Sequence, residues 1–85
     1  MFKIEKQKDD RYSLECTVYN MDLHKEMFVY SLRNLTWEGI DGFIRGRLKN
    51  DDEVTWAHDI VRLTKFPAFI TDNGELTTKI TTISQ

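Results

Sequence analysis

The chain opens on strict alternation of apolar and polar positions. Phe2, Ile4 and Lys6 alternate with Lys3, Glu5 and Gln7, and Tyr12, Leu14, Cys16 and Val18 alternate with Ser13, Glu15, Thr17 and Tyr19. A period of two marks half-buried strands, so strands are predicted near 2–7 and 12–19, joined as a hairpin. A three-residue loop at Lys8-Asp9-Asp10 sets Ile4 opposite Leu14, Phe2 opposite Cys16 and Lys3 opposite Glu15. A two-residue loop would set Ile4 opposite Glu15, and a slip of one residue sends a strand's apolar set to the wrong face. After a polar stretch at 20–25, the run Met27-Phe28-Val29-Tyr30-Ser31-Leu32 is apolar on both faces. That pattern predicts a strand near 27–33, central in its sheet and covered on both sides.

The period then changes. Trp37, Ile40, Phe43, Ile44 and Leu48 fall on one arc at helical spacing, predicting a helix near 36–49. Thr36 is placed to cap it, Glu38 and Asp41 lie early, and Arg45, Arg47 and Lys49 lie late, as the helix dipole prefers. Gly39, Gly42 and Gly46 each cost about 1 kcal/mol against alanine in a helix. They gather on one side of the wheel, which implies close approach to another backbone, or else a strand at 40–48 with glycine bends. A second helix is predicted near 51–64. Asn50 and Glu53 are spaced as a capping box; Val54, Trp56, Ala57, Ile60, Val61 and Leu63 form the apolar half, and Thr55, His58, Asp59 and Arg62 the polar half. The end of the chain reads as a further hairpin, with strands near 68–71 and 75–83 around the turn Asp72-Asn73-Gly74. A three-residue loop there pairs Ile70 with Leu76 and Phe66 with Ile80. Pro67 cannot donate a ladder hydrogen bond, so its strand should be short or at an edge.

The order βββ-αα-ββ over residues 1–85 describes a single α+β domain: an antiparallel sheet of about five strands with two helices on one face. A small all-β barrel is the alternative if the glycines and threonines of 39–64 defeat the helix pattern.

Composition narrows the classes of function. Hydrophobic residues are 40% and charged residues 31%, with five Phe, three Tyr and two Trp, enough for a packed core. Net charge is -2, with 12 basic and 14 acidic residues, which lowers the case for a nucleic-acid binder. The single cysteine, Cys16, forms no internal disulfide. No apolar run approaches the roughly 20 residues a membrane span needs, and the first residues are too charged for a signal peptide. A cytoplasmic protein that makes no membrane contact is expected.

Chemistry-bearing side chains are scattered. Cys16 lies on the apolar side of a strand, where a small buried hydrophobe is the plain reading. His24 and His58, 34 positions apart, make no metal-ligand spacing with one cysteine. Asp51, Asp52 and Glu53 lack the spaced ligands of a calcium loop, and the glycines match no phosphate-binding pattern. No catalytic residue, metal or cofactor is therefore assigned. His58 falls on the polar arc of its helix, as a solvated side chain would. Arg47 is the anomaly: it falls among Ile40, Phe43 and Ile44, so it must reach outward along the apolar arc or meet a partner.

These features point to a non-enzymatic regulator or inhibitor that binds a protein partner, with a homodimer as a further option. Size alone suggests a phage or mobile-element protein. Arginine and tryptophan dominate interface energetics, so Trp37, Arg45, Arg47, Lys49 and Trp56 are the candidate contact residues. The alternative is a nucleic-acid accessory protein using a basic patch of Arg33, Arg45, Arg47, Lys49 and Arg62.

Overall fold

The computed structural model describes residues 1–64 and 66–77. Strand β1 (Phe2–Lys6) leads through a tight 3-10 turn at Lys8–Asp10 into β2 (Tyr12–Asn20). The pairing is the one alternation demands: Phe2 opposite Cys16, Lys3 opposite Glu15, Ile4 opposite Leu14. Asp9 and Asp10 take positive φ in the turn (59° and 56°), a conformation that aspartate tolerates better than most residues. Strand β3 (Lys25–Leu35) follows, then helices α1 (Trp37–Arg47) and α2 (Asp51–Leu63), then the short strands β4 (Ala68–Ile70) and β5 (Leu76–Thr77). Every pairing is antiparallel and the strand order is β3-β2-β1-β4-β5. The sheet stays open rather than closing into a barrel, so the fold is α+β.

Both helices begin at the expected N-cap residues, but Asn50 caps through the Asp52 amide rather than in the expected capping box with Glu53. The Thr36 hydroxyl accepts from the Gly39 amide at 3.2 Å, and Asn50 Oδ1 accepts from the Asp52 amide at 2.8 Å. Ile40 and Ile44 of α1 and Val54, Ala57, Ile60 and Val61 of α2 pack onto one face of the sheet. That face presents Phe2, Ile4, Tyr12, Leu14, Cys16, Ala68 and Ile70, all buried. At the other end of the sheet Ile70 pairs with Leu76, as the turn at 72–74 requires; the expected pairing of Phe66 with Ile80, and the expected strand beyond Thr77, lie outside the described residues. β4 is short, as Pro67 dictates, yet it lies inside the sheet between β1 and β5.

Three expectations are overturned. First, β3 is the edge of the sheet, not its centre, and it is exposed along most of its length. Second, the glycines of α1 admit no neighbouring backbone. A Cβ added at Gly42 or Gly46 would meet nothing within 4 Å, and one at Gly39 would touch only the Thr36 side chain at 3.6 Å. Third, Trp56 and Leu63 belong to the outside of α2, at 47% and 78% exposure, because the sheet needs only the narrower stripe through Val54, Ala57, Ile60 and Val61.

Candidate functional site

Two features stand out: a polar cleft between the helices and an apolar expanse that the helices leave bare.

The cleft is a depression of about 580 Å³, lined by Trp37, Asp41 and Arg45 of α1, Thr55, His58, Asp59, Arg62 and Leu63 of α2, and Lys6 and Asp10. Asp41 is its hub. Its Oδ2 accepts from Arg45 Nε at 3.1 Å, one helical turn away, and its Oδ1 lies 2.7 Å from His58 Nε2. That second contact is close but off the N–H axis, so the buried imidazole nitrogen has no well-aligned hydrogen-bond acceptor; it is best described as a charge–dipole approach. His58 is only 17% exposed, not solvated as the polar arc suggested. It meets the edge of Trp37 at 5.0 Å between ring centres. Trp37 in turn packs on Tyr12 at 5.4 Å and carries the Arg62 guanidinium over its ring at 4.7 Å. The cleft thus ties α1 to α2 and to β2.

The geometry separates the two contacts of Asp41. The Arg45 side chain is 59% exposed, and an exposed pair at i,i+4 contributes about 0.3–0.5 kcal/mol. The histidine is largely covered, so its close approach to the carboxylate is less screened than that of the exposed arginine. Asp41→Ala, which removes both contacts, is therefore expected to lower stability by more than Arg45→Ala, which should lose no more than about 0.5 kcal/mol. Urea unfolding of both variants checks this, and equal losses would contradict it.

A charge relay needs a nucleophile beside the imidazole. Cys16 is buried in the core on β2 and is not among the cleft residues. The carboxylate and imidazole come together; the thiol stays apart. Among the described residues, no group of three or more His, Cys, Asp or Glu is placed to hold a metal ion.

The predicted contact residues do not form one surface. Trp37 is half-buried in the cleft wall, and Arg45 is held by Asp41. Arg47 lays its guanidinium over the rings of Phe2 at 4.5 Å and Phe43 at 5.3 Å, which resolves its place on the apolar arc: it caps the edge of the core as a cation–π partner. Lys49 is exposed in the connection between the helices. Trp56 stands outward on α2, seven residues from Leu63, and Phe66 beyond it is also exposed. The basic set is equally spread. Arg33 sits on β3, while Arg45 and Arg62 share their cleft with Asp10, Asp41 and Asp59.

The larger feature includes the strand near 27–33 that the sequence pattern places under cover. Val18 and Tyr19 of β2, Met21 and Leu23 of the turn, and Phe28, Val29, Tyr30 and Leu32 of β3 are 38–72% exposed. Lengths explain it. Helices of 11 and 13 residues reach about 16–20 Å at 1.5 Å per residue. The 11-residue β3 reaches about 36 Å at its 3.3 Å rise, close to the 37 Å long dimension of the molecule. The helical layer covers β1, β4 and the near half of β2; among the described residues nothing lies over the far half of the β2–β3 hairpin. Val18, Met27, Tyr30 and Leu32 share the face that elsewhere forms the core, since Val18 pairs with Met27, Cys16 with Tyr30 and Leu14 with Leu32. The alternation pattern did not show this, because the strand expected near 27–33 runs from Lys25 to Leu35 in the structure.

No helix among the described residues is long and apolar enough to cross a membrane. No protein-family model, curated protein or solved structure matches this chain, so its function must be argued from the cleft and the bare hairpin themselves.

Proposed function

We propose that this chain is a small, non-enzymatic protein-binding module that regulates or inhibits a protein partner, and that it docks through the uncovered end of the β2–β3 hairpin. The observation that carries the reading is the run of exposed large apolar side chains there, from Val18 to Phe28, with Met21 at 72% and Phe28 at 63% exposure. Isolated apolar residues on a surface need no explanation, but a projecting hairpin end that bares apolar side chains on both faces, Val18 on the helix side and Tyr19 and Phe28 on the other, marks a contact surface. The turn is ordered for the purpose by a local bond: Asn20 Oδ1 accepts from the Leu23 amide at 2.9 Å. Methionine and aromatic side chains are favoured at such surfaces.

The chemistry of the partner follows. Asp22, Lys25 and Glu26 nearly balance, so the tip carries little net charge, and the partner surface that fits is an apolar groove with a weakly charged rim. The nucleic-acid alternative has less to rest on, because Arg45 and Arg62 share their cleft with carboxylates, Arg47 lies over aromatic rings and Arg33 stands apart on β3. An enzymatic reading lacks a nucleophile beside the His58–Asp41 pair.

The test places a photo-crosslinking residue at Leu23, and in a control at Lys49, followed by mass spectrometry. One discrete adduct at Leu23 and none at Lys49 is expected. Remade as a purified protein, that partner should bind the Phe28→Lys variant at least about 30-fold more weakly, the range of an interface hot spot. Unchanged affinity in Phe28→Lys would discard the hairpin as the docking surface.

A further inference from the structure

We propose that Asn73 is a site of spontaneous covalent modification, its side-chain amide converting to aspartate and isoaspartate, and that the turn between β4 and β5 restrains the reaction by holding the Gly74 amide. This is independent of where a partner docks. The chain has four asparagines, followed by Met21, Leu35, Asp51 and Gly74. An asparagine side chain is attacked by the backbone nitrogen of the residue after it, and a Cβ on that residue crowds the approach. Glycine has no Cβ. Asn73 is therefore the asparagine whose neighbour leaves the attack open, and it is exposed to the water that completes the reaction. Asn20 and Asn50 also have their side-chain oxygens engaged, by the Leu23 and Asp52 amides.

The chemistry balances with water alone. The Gly74 nitrogen gives its proton to base in solution and attacks Asn73 Cγ. The new N–Cγ bond forms, the Cγ–Nδ2 bond breaks, and the side-chain nitrogen takes up protons from water and leaves as ammonia. The result is a five-membered succinimide ring. Water then opens the ring at one of the two carbonyl carbons bonded to its nitrogen. Cleavage at Cγ restores the ordinary main chain with an aspartate side chain. Cleavage at the main-chain carbonyl routes the chain through Cβ and Cγ, giving isoaspartate with one extra carbon in the backbone.

The fold controls the first step, because the attacking nitrogen is occupied. The Gly74 amide donates to Thr71 O at 3.0 Å, and the Thr71 amide donates to Glu75 O at 2.8 Å. The Glu75 amide donates to Thr71 Oγ1 at 3.0 Å. Three hydrogen bonds thus close one short turn, and the turn is seated against the Arg47 carbonyl, 2.9 Å from where a Cβ on Gly74 would stand. Attack requires the first bond to break and the peptide to swing toward the side chain. The reaction therefore proceeds from the opened turn, and its rate follows the population of that state. Either product sets a new carboxylate between Asp72 and Glu75. Isoaspartate also lengthens a loop whose hydrogen bonds fit three residues. Conversion thus leaves a permanent mark on chains in which the β4–β5 turn has opened.

The experiment incubates the full chain in mildly alkaline buffer, folded and in guanidinium chloride, with peptide mass spectrometry after chromatographic separation of aspartate from isoaspartate. Wild type, Thr71→Val and Asn73→Gln are compared. Thr71→Val removes the acceptor of the Glu75 amide and keeps the branched shape and the main-chain carbonyl. Conversion is expected at Asn73, at least about tenfold slower in the folded than in the unfolded chain. Thr71→Val is expected to speed it about fivefold in the folded chain, the effect of one hydrogen bond on a closed turn, and to leave the unfolded rate unchanged. Asn73→Gln should be inert, since attack there needs a six-membered ring. Equal rates in the folded and unfolded wild-type chain overturn the restraint, whether or not Thr71→Val folds, and so does a folded Thr71→Val that reacts no faster than wild type. Conversion at Asn20, Asn34 or Asn50 with Asn73 intact overturns the site.

Discussion

Truncating Ile4 to alanine is expected to cost about 3–4 kcal/mol of folding stability, the largest effect of any single substitution considered. Ile4 is fully buried. It sits on the middle strand of the sheet, opposite Leu14 on one side and Ala68 on the other, beneath the helices. The cost has two parts: the transfer of the lost methylene groups, and a cavity that neighbours held by ladders on both sides cannot collapse into. A domain of this size holds about 4–13 kcal/mol in all, so the substitution removes a large share of it. In a chain this short each kcal/mol shifts the melting midpoint by about 4–8 °C, so a fall of about 15–25 °C is expected in thermal unfolding followed by circular dichroism. By contrast Val29→Ala, on the bare edge, should stay within about 0.5 kcal/mol in the monomer. A loss below about 1 kcal/mol for Ile4→Ala would mean that β1 is not the centre of the sheet.

The second large effect is expected at Gly74, and it differs in sign from the effect at another glycine. Gly74 holds φ at +81°, and a Cβ there would come 2.9 Å from the Arg47 carbonyl oxygen. The positive φ alone costs an L-residue about 1–2 kcal/mol. The contact is with backbone at the end of α1, which cannot rotate aside as a side chain would. Gly74→Ala is therefore expected to destabilise by about 2–3 kcal/mol. Gly42, in the middle of an exposed helix face with nothing within 4 Å of an added Cβ, should gain about 1 kcal/mol on replacement by alanine. Measuring both variants by urea unfolding gives two shifts of opposite direction; a stabilised Gly74→Ala would remove the turn from its place against α1.

The outcome at these glycines also shows which parts of the fold were legible in the sequence. Period-two alternation gave the β1–β2 register to the residue, because a single slip would have buried Glu15. Helical spacing gave both helices to within a residue or two, because caps at Thr36 and Asn50 agree with the apolar arcs that follow them. What alternation could not give was the neighbour of each strand. Met27–Leu32 is apolar on both faces, which fits a central strand and an uncovered edge equally well; the distinction rests on strand order, which depends on pairings between distant segments. The same limit applies to the cleft. Asp41 and Arg45 are four apart and their pairing was visible, but His58 comes from another helix, and its meeting with Asp41 depends on how α1 and α2 pack. Arg47 was recognisable as out of place, while the rings that hold it, on β1 and on its own helix, became visible only in the fold.

The overhang of the hairpin past the helical layer divides the chain's residues by what constrains them. Substitutions at Ile4, Ile44 or Val61 fall on the core, whereas those at exposed positions such as Met21, Leu23 and Phe28 touch little of the fold's stability. Sequence change at the tip is therefore expected to carry little penalty in folding. Amide exchange should mirror the division: fast at the tip in the isolated chain, slow through β1, and slowed at the tip only when its contact is made.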